Sequence, residues 1–293
     1  MPETGGMTST AGPLGEALTA WRARLTPEAA GLPTYGERRR VSGLRREELA
    51  LLAGVSASYY TRLEQGQSRN ASVEVLDAIA GALNLTGAER QHLGALAEGS
   101  RRRVRPRRPP VEHADPALAA LVEDLGDVPA VVLGRRNDVL AWNALGHALL
   151  AGHVERGTPD DPRARPNLLR MHFLDPHNRE LYADWAAKAQ AVVGNLRLTA
   201  GQHPDDPLLA ELIGQLSMSS PEFSRLWGDH RVKPCPTADY ELRHPLVGSL
   251  TVTQQSLRAV QAPEQILVTC TAARGSGSAR ALALLAQLVH AGR

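Results

Sequence analysis

The stretch 44–66, LRREELALLAGVSASYYTRLEQG, constrains the fold more than any other part of the chain. It reads as two short helices around a tight turn. Leu49, Leu52 and Ala53 share one side of the first helix. Gly54 can take the left-handed conformation that ends that helix. Val55 plugs the corner, and Ser56 is a good N-cap for the next helix. Tyr60 and Leu63 face back toward the first helix, and small Ala50 and Ala53 let the two cross closely at a steep angle. Apolar positions, turn glycine and cap all agree, which an ordinary helical hairpin would not require.

This arrangement is the helix-turn-helix pattern, whose second helix lies in the major groove of DNA. Its flanks complete a domain. Leu14, Leu18, Trp21 and Leu25 stand at helical spacing before it. Residues 26–43, with Pro27, Gly31, Pro33 and Gly36, read as a loop with one helical turn near Pro27, ending near Arg38, Arg39 and Arg40. After a polar connection, Ser72 caps a helix carrying Val73, Leu76, Ile79, Ala80 and Leu83. Thr86 and Glu89 form a capping box that opens a fifth helix with Leu93 and Leu96. Five short helices make an all-α domain over 14–97, preceded by a small, polar, unstructured lead over 1–12.

The run GLRREELALLAGVSASYYTRLEQG followed by SVEVLDAIAGAL resembles the xenobiotic-response-element class of helix-turn-helix regulators, a lambda-repressor-like fold. The resemblance implies that the exposed front of the third helix meets base edges. Carried onto this chain, those positions are Ala57, Ser58 and Arg62, flanked by Ser56, Tyr59 and Thr61. The chemistry agrees: Arg makes bidentate contacts to guanine, Ser donates or accepts, and an Ala methyl touches a thymine methyl. Tyr59 is expected to project outward and Tyr60 to be core. Glu64 is expected to fold back onto Arg45 or a backbone amide. Arg45 and Arg46 open the second helix, whose amino end can abut a phosphate. Arg69 and Asn70 follow the third helix as backbone contacts.

Charge is distributed accordingly. The chain has a net charge of +2, but residues 1–113 carry 16 Arg against 12 acidic residues, and the remainder 17 basic against 19 acidic. Arg so far outnumbers Lys throughout that no single Arg is evidence of a phosphate contact. Residues 98–113 form a linker whose SRRRVRPRRPP run is extended by like charges and proline. It reads as a hinge with nonspecific attraction to DNA. Two widely separated cysteines, Cys235 and Cys270, fit a reducing compartment and no disulfide framework. With no apolar signal core and no membrane-length apolar run, the expectation is a cytoplasmic, nucleoid-associated protein.

Residues 114–293 read as an α+β domain. Asp115 and Pro116 start a helix with Leu118, Leu121, Val122 and Leu125 inward. PAVVLG and DVLAW are strands joined by a hairpin at Arg135, Arg136 and Asn137. Asn143 caps a helix through Leu150, and 151–166 is a loop. A short helix over 167–173 leads to a long one from Asp175, with Leu181, Trp185, Ala189, Val192 and Leu196 on one stripe. Two more helices start at Asp206 and at Ser219 to Glu222. Three strands follow, over 238–244, 248–254 and 265–272, and Ser278 caps a last helix through Leu282, Leu285 and Leu288. The expected architecture is a five-stranded antiparallel sheet with helices on one face and a cavity between, a PAS-like arrangement.

The segments RRNDVLAWNALGHALL, MHFLDPHNRELYADWAAKAQAVVGNLR, HPDDPLLAELIGQLSMSSPEFSRLW and HPLVGSLTVTQQSL resemble the ligand-binding half of the MmyB-like regulators. That family joins this kind of helix-turn-helix domain to a PAS-like domain, and the resemblance implies a fatty-acid-like ligand. An acyl chain needs an apolar tunnel, and its carboxylate a cation or hydroxyl at the mouth. Trp142, Phe173, Trp185, Phe223 and Trp227 are candidate walls; Arg170, Arg197, His230 and His244 are candidate carboxylate partners. No HExxH, GxSxG, Walker or GxGxxG motif is present, and His172 and His177 lack metal-ligand spacing. The expectation is therefore a sequence-specific regulator, not an enzyme, needing no cofactor apart from a bound fatty acid. Its partners would be double-stranded DNA, a small apolar ligand and a second copy of the chain, with no membrane. The alternatives are a DNA-tethered enzyme acting on an acyl substrate, and a carboxy-terminal half that only dimerises.

Overall fold

The computed structural model describes residues 12–32, 41–68, 71–101, 109–232 and 237–291, and the chain divides into two compact units. The first contains α1 (Gly12–Arg24), α2 (Arg46–Leu52), α3 (Ala57–Glu64), α4 (Val73–Ala82) and α5 (Gly87–Arg101). Arg197–Asp205 and a segment beginning at Leu226 belong to the same unit. Its core gathers Leu18, Trp21, Leu49, Tyr60, Leu63 and Ile79, all essentially inaccessible. The turn between α2 and α3 forms as its residues require: Gly54 has φ +65°, and the Ser56 hydroxyl accepts from the Tyr59 amide at 3.2 Å. Ser72 caps α4 through the Val75 amide. Thr86 and Glu89 close the capping box of α5, the Glu89 carboxylate accepting from the Thr86 amide at 2.9 Å. Leu52 departs from expectation. It is 38% exposed, because Leu49 and Ala53 already fill the side of α2 that meets α3.

The second unit contains a five-stranded antiparallel sheet in the order β2 (Val139–Trp142), β1 (Ala130–Leu133), β5 (Ala262–Thr271), β4 (Gly248–Ala259), β3 (Thr237–His244). Strands β4 and β5 are longer than expected and meet in a tight hairpin at Val260 and Gln261. Helices α7 (Ala144–Ala151), α8 (Leu168–Leu174), α9 (Pro176–Leu181) and α13 (Gly277–Ala291) share a core with Val131, Leu242, Leu250, Val252 and Val268. The opposite face is not bare: α6 (Pro116–Asp124) lays Leu118 and Val122 on Ala130, Val132, Leu140 and Leu267. Helices therefore cover both faces at the β1–β2 end, which is why every residue of β1 is buried. Leu121 and Leu288, expected inside, are 44% and 45% exposed at the edges of their helical stripes.

The long helix expected from Asp175 is two helices. Tyr182 pairs with Leu242 of β3, and the Ala183 amide donates to the Glu241 carbonyl at 2.9 Å. The chain thus leaves helical geometry for one strand-like step before α10 (Trp185–Gln202) restarts. Asp184 sets the restart, accepting from the Ala187 amide at 2.9 Å. Helices α11 (Pro207–Ser219) and α12 (Pro221–Gly228) follow, capped by Asp206 and Ser220. Ser278 does not cap α13. Ser276 does, through the Ala279 amide, while the Ser278 hydroxyl accepts from Thr251 of β4 at 2.9 Å.

Candidate functional site

Two places among the described residues are considered as candidate sites. The first is the outer side of α3. One side of this helix is fixed inward by Tyr60, Leu63 and Glu64, each at most 1% exposed. The residues between them are turned out: Ser56, Ala57, Ser58 and Arg62 are exposed, and Thr61 is half-buried. Tyr59, expected to project outward, is half-buried and packs against the core of its unit.

Glu64 sets the rotation of α3. Its carboxylate accepts from Arg22 of α1 at 2.9 and 3.0 Å, from Arg46 of α2 at 3.0 Å and from Thr19 at 3.0 Å. Burial pushes this carboxyl upward, but the bonds to Arg22 and Arg46 outweigh it and hold its pKa below the usual carboxylate range. Glu64 therefore folds onto Arg22 and Arg46, not onto Arg45 as the sequence suggested. Arg46 divides its guanidinium between this pair and solvent, being 46% exposed. Arg45 is exposed at the start of α2, its amide donating to Glu48 at 2.7 Å. Arg69, Asn70, the triplet Arg38, Arg39 and Arg40, most of the basic linker and Cys235 lie outside the described residues.

The second place is a cavity of about 70 Å³ between the sheet and the helices of the second unit. From α10 it takes Lys188, Ala191, Val192 and Asn195, an i, i+3, i+4, i+7 stripe. The sheet supplies Leu133, Tyr240, Gln254, Ser256, Ile266 and Val268. The preceding helices and their junctions supply Leu150, Leu168, His172, Asn178 and Tyr182. Lys188 is 7% exposed; its ammonium donates to Gln254 Oε1 at 2.7 Å and stands 4.0 Å from the Tyr240 ring centre. His172 stacks on Trp185 at 5.2 Å. Burial, then the nearby Lys188 charge, drive the His172 pKa down to about 3, so the ring is neutral at ordinary pH.

None of the nine ligand candidates read from the sequence lines this cavity. Trp142 donates its indole N–H to the Arg156 carbonyl at 2.7 Å. Arg170 is exposed and bonds Gln215 at 3.0 Å. Phe173 packs edge-on against Trp185 and Phe223, and the Trp185 indole donates to the His172 carbonyl at 2.9 Å. His244 bridges the Ala148 carbonyl and the Leu246 amide. Arg197, Trp227 and His230 belong to the first unit. There Arg197 lies over the Trp227 ring at 4.1 Å and bonds His230 at 3.1 Å, and the His230 carbonyl accepts from Trp21 of α1. The aromatic candidates are engaged in packing or in bonds to backbone carbonyls, and Arg170 and Arg197 in bonds to Gln215 and His230. The residues that do line the cavity carry one sequence signal, the 188–195 stripe on α10.

Among the described residues, no cluster of three or more His, Cys, Asp or Glu is placed to hold a metal, and no helix is long and apolar enough to cross a membrane. A helix-turn-helix unit with an open front, joined to an α+β unit with an internal cavity, has the parts of a DNA-binding regulator with a ligand-binding domain. Family comparison agrees: residues 37–89 match a helix-turn-helix family, and residues 114–285 match the MmyB-like transcription regulator ligand binding domain. The chain belongs to the MmyB-like transcription regulators, and it is a DNA-binding transcription regulator with a ligand-binding domain. No curated relative matches it.

Proposed function

We propose that this protein is a sequence-specific regulator that binds DNA as a homodimer and responds to a small amphiphilic, fatty-acid-like ligand held in the PAS-like second unit. The observation that carries the DNA half is the outward turn of Ser58 and Arg62 on a helix whose other side is locked by Tyr60, Leu63 and Glu64. Ala57, Ser58 and Arg62 would meet base edges, with Ser56, Tyr59 and Thr61 at the margin. Arg45, Arg46, Arg69 and Asn70 would steady the phosphate backbone. One such helix reads few base pairs, so pairing on a pseudo-palindrome with half-sites about 34 Å apart supplies the remaining discrimination.

The cavity supports the ligand half. Its apolar wall of Leu133, Leu150, Val192, Ile266 and Val268 suits an acyl body. At about 70 Å³ it is far smaller than the roughly 300–1,000 Å³ of ordinary ligand pockets. A long chain therefore enters only if the walls of the cavity move apart. That requirement supplies the differential affinity for two states on which any ligand switch depends.

The test is genome-wide capture of bound DNA followed by footprinting with and without added fatty acid. A two-fold symmetric footprint whose occupancy changes with fatty acid is the expected result. An asymmetric, sequence-indifferent footprint that ignores fatty acid would contradict it. A DNA-tethered acyl enzyme would instead show turnover of acyl substrates, and no described cluster favours that reading.

A further inference from the structure

We infer that the second unit holds a further ligand site, a preformed cleft beside α6 that takes a short peptide with free ends, an ammonium and a carboxylate on one neutral molecule. The cleft has a volume of about 730 Å³, within the roughly 300–1,000 Å³ of ordinary ligand pockets, and shares no residue with the smaller inner cavity. Helix α6 contributes Ala119, Val122 and Glu123, and β2 contributes Leu140 and Trp142. The segment 156–165, which contains a 3-10 turn (Thr158–Asp160), contributes Arg156, Asp160 and Arg165.

Bonds from side chains to backbone carbonyls fix this frame. The Trp142 indole holds the Arg156 carbonyl at 2.7 Å. Arg165 donates from Nε to the Pro159 carbonyl at 3.0 Å and from Nη1 to the Glu112 carbonyl at 2.7 Å. It thereby ties the segment to the stretch that leads into α6. Gln265 of β5 anchors that stretch in turn, donating to the His113 carbonyl at 2.7 Å and accepting from the Asp115 amide at 2.9 Å. Three side chains are thus spent on holding the cleft in one shape. A frame fixed in advance leaves little ordering entropy to oppose a ligand.

The charges inside the frame are of both signs and are not spent on each other. Apart from His113, the charged lining residues are two Arg, one Glu and one Asp. Arg165 is engaged as the clasp. The side chains of Arg156, Glu123 and Asp160 make no hydrogen bond or ion pair with other described residues. A net anion would gain from Arg156 and be repelled by Glu123 and Asp160, and a net cation would meet the reverse. A molecule that turns a carboxylate toward Arg156 and an ammonium toward Glu123 and Asp160 satisfies all three. The rest of the lining named here, Ala119, Val122, Leu140 and Trp142, is apolar and suits small aliphatic side chains between the two ends. A fatty acid, with one charge on a long apolar chain, leaves both carboxylates unmatched.

The test is calorimetric titration of the full chain with free-ended trialanine, its N-acetylated form, its C-terminal amide and the form blocked at both ends. Blocking either end is expected to weaken binding roughly five-fold, and blocking both roughly twenty-fold. Arg156→Gln is expected to make the free-ended peptide and its amide bind alike, and Glu123→Gln to reduce the loss caused by N-acetylation. Both side chains are exposed, so the fold should be kept, and an unchanged thermal midpoint checks that. The series on the unaltered protein decides the matter if a variant loses stability. Equal binding of the free and doubly blocked peptides, tighter binding of a singly blocked form, or no binding of any of the four would overturn the site. So would full discrimination against the amide in a folded Arg156→Gln variant. Each of these results leaves the reading of the inner cavity standing.

Discussion

Arg22 on α1 and Glu64 on α3 meet as a sheltered ion pair, Nη2 to Oε1 at 2.9 Å, between residues 42 apart in sequence. The pair fixes the rotation of α3. With Glu64 held inward, Ser58 and Arg62 can only face out.

Glu64→Gln is therefore expected to destabilise the DNA-binding unit by roughly 3 kcal/mol, because Arg22 is left nearly buried opposite a neutral group. Urea unfolding measures it. The pH dependence has a definite sign. The folded pKa of Glu64 lies below its unfolded value near 4.5, so its contribution is complete above that value. It is lost as pH falls through the lower folded value, and the Gln variant should lack this acid-side loss.

Histidines give a second window at higher pH. His92 and His230 are pushed down to about 4 and His172 to about 3, each chiefly by burial, from an ordinary value of 6.5. Between those values the unfolded chain binds protons that the folded chain refuses, so stability falls as pH drops below 6.5. The loss is on the order of 1–2 kcal/mol per ring at about pH 5. Thermal midpoints at about pH 7.5 and 5 should differ accordingly, and His172→Phe should reduce the difference. Equal midpoints in the unaltered protein would contradict the buried, neutral rings.

Gly146 packs the start of α7 directly on β1. A Cβ there would lie 2.4 Å from the Ala130 carbonyl oxygen and 2.8 Å from its nitrogen. Since backbone cannot yield as a side chain does, Gly146→Ala should destabilise the second unit by about 1–3 kcal/mol. Gly214→Ala, on a helix where an added Cβ meets nothing within 4 Å, is the control and should be neutral or slightly stabilising.

Most of the DNA-binding unit was legible because its signals are local. A cap, a turn glycine and a helical stripe lie within a few residues of one another, as at Ser56, Gly54 and Tyr60. What escaped was long-range. Nothing near Glu64 in sequence points to Arg22, and its nearer neighbour Arg45 looked equally able to pair. The break at Tyr182 arises from pairing with β3, which arrives some 60 residues later, although Asp184 before WAAK was a cap signal in plain view. In the second unit the sequence offers its largest aromatics as cavity walls. Size favours burial in general, so it could not separate packing, as for Phe223, from lining, as for Tyr240. That His172 Nε2 and Asn178 Nδ2 have no hydrogen-bond partner among the described residues is visible only once their neighbours are placed.

The most direct measurement compares Arg62→Ala with the unaltered protein on a full set of single-base operator variants. If Arg62 enters the groove, the substitution costs about 1–3 kcal/mol on the best site and flattens preference at one base position in each half-site, leaving the other positions ranked as before. A uniform loss on every sequence, with the preference profile intact, would show that the outer side of α3 does not read bases.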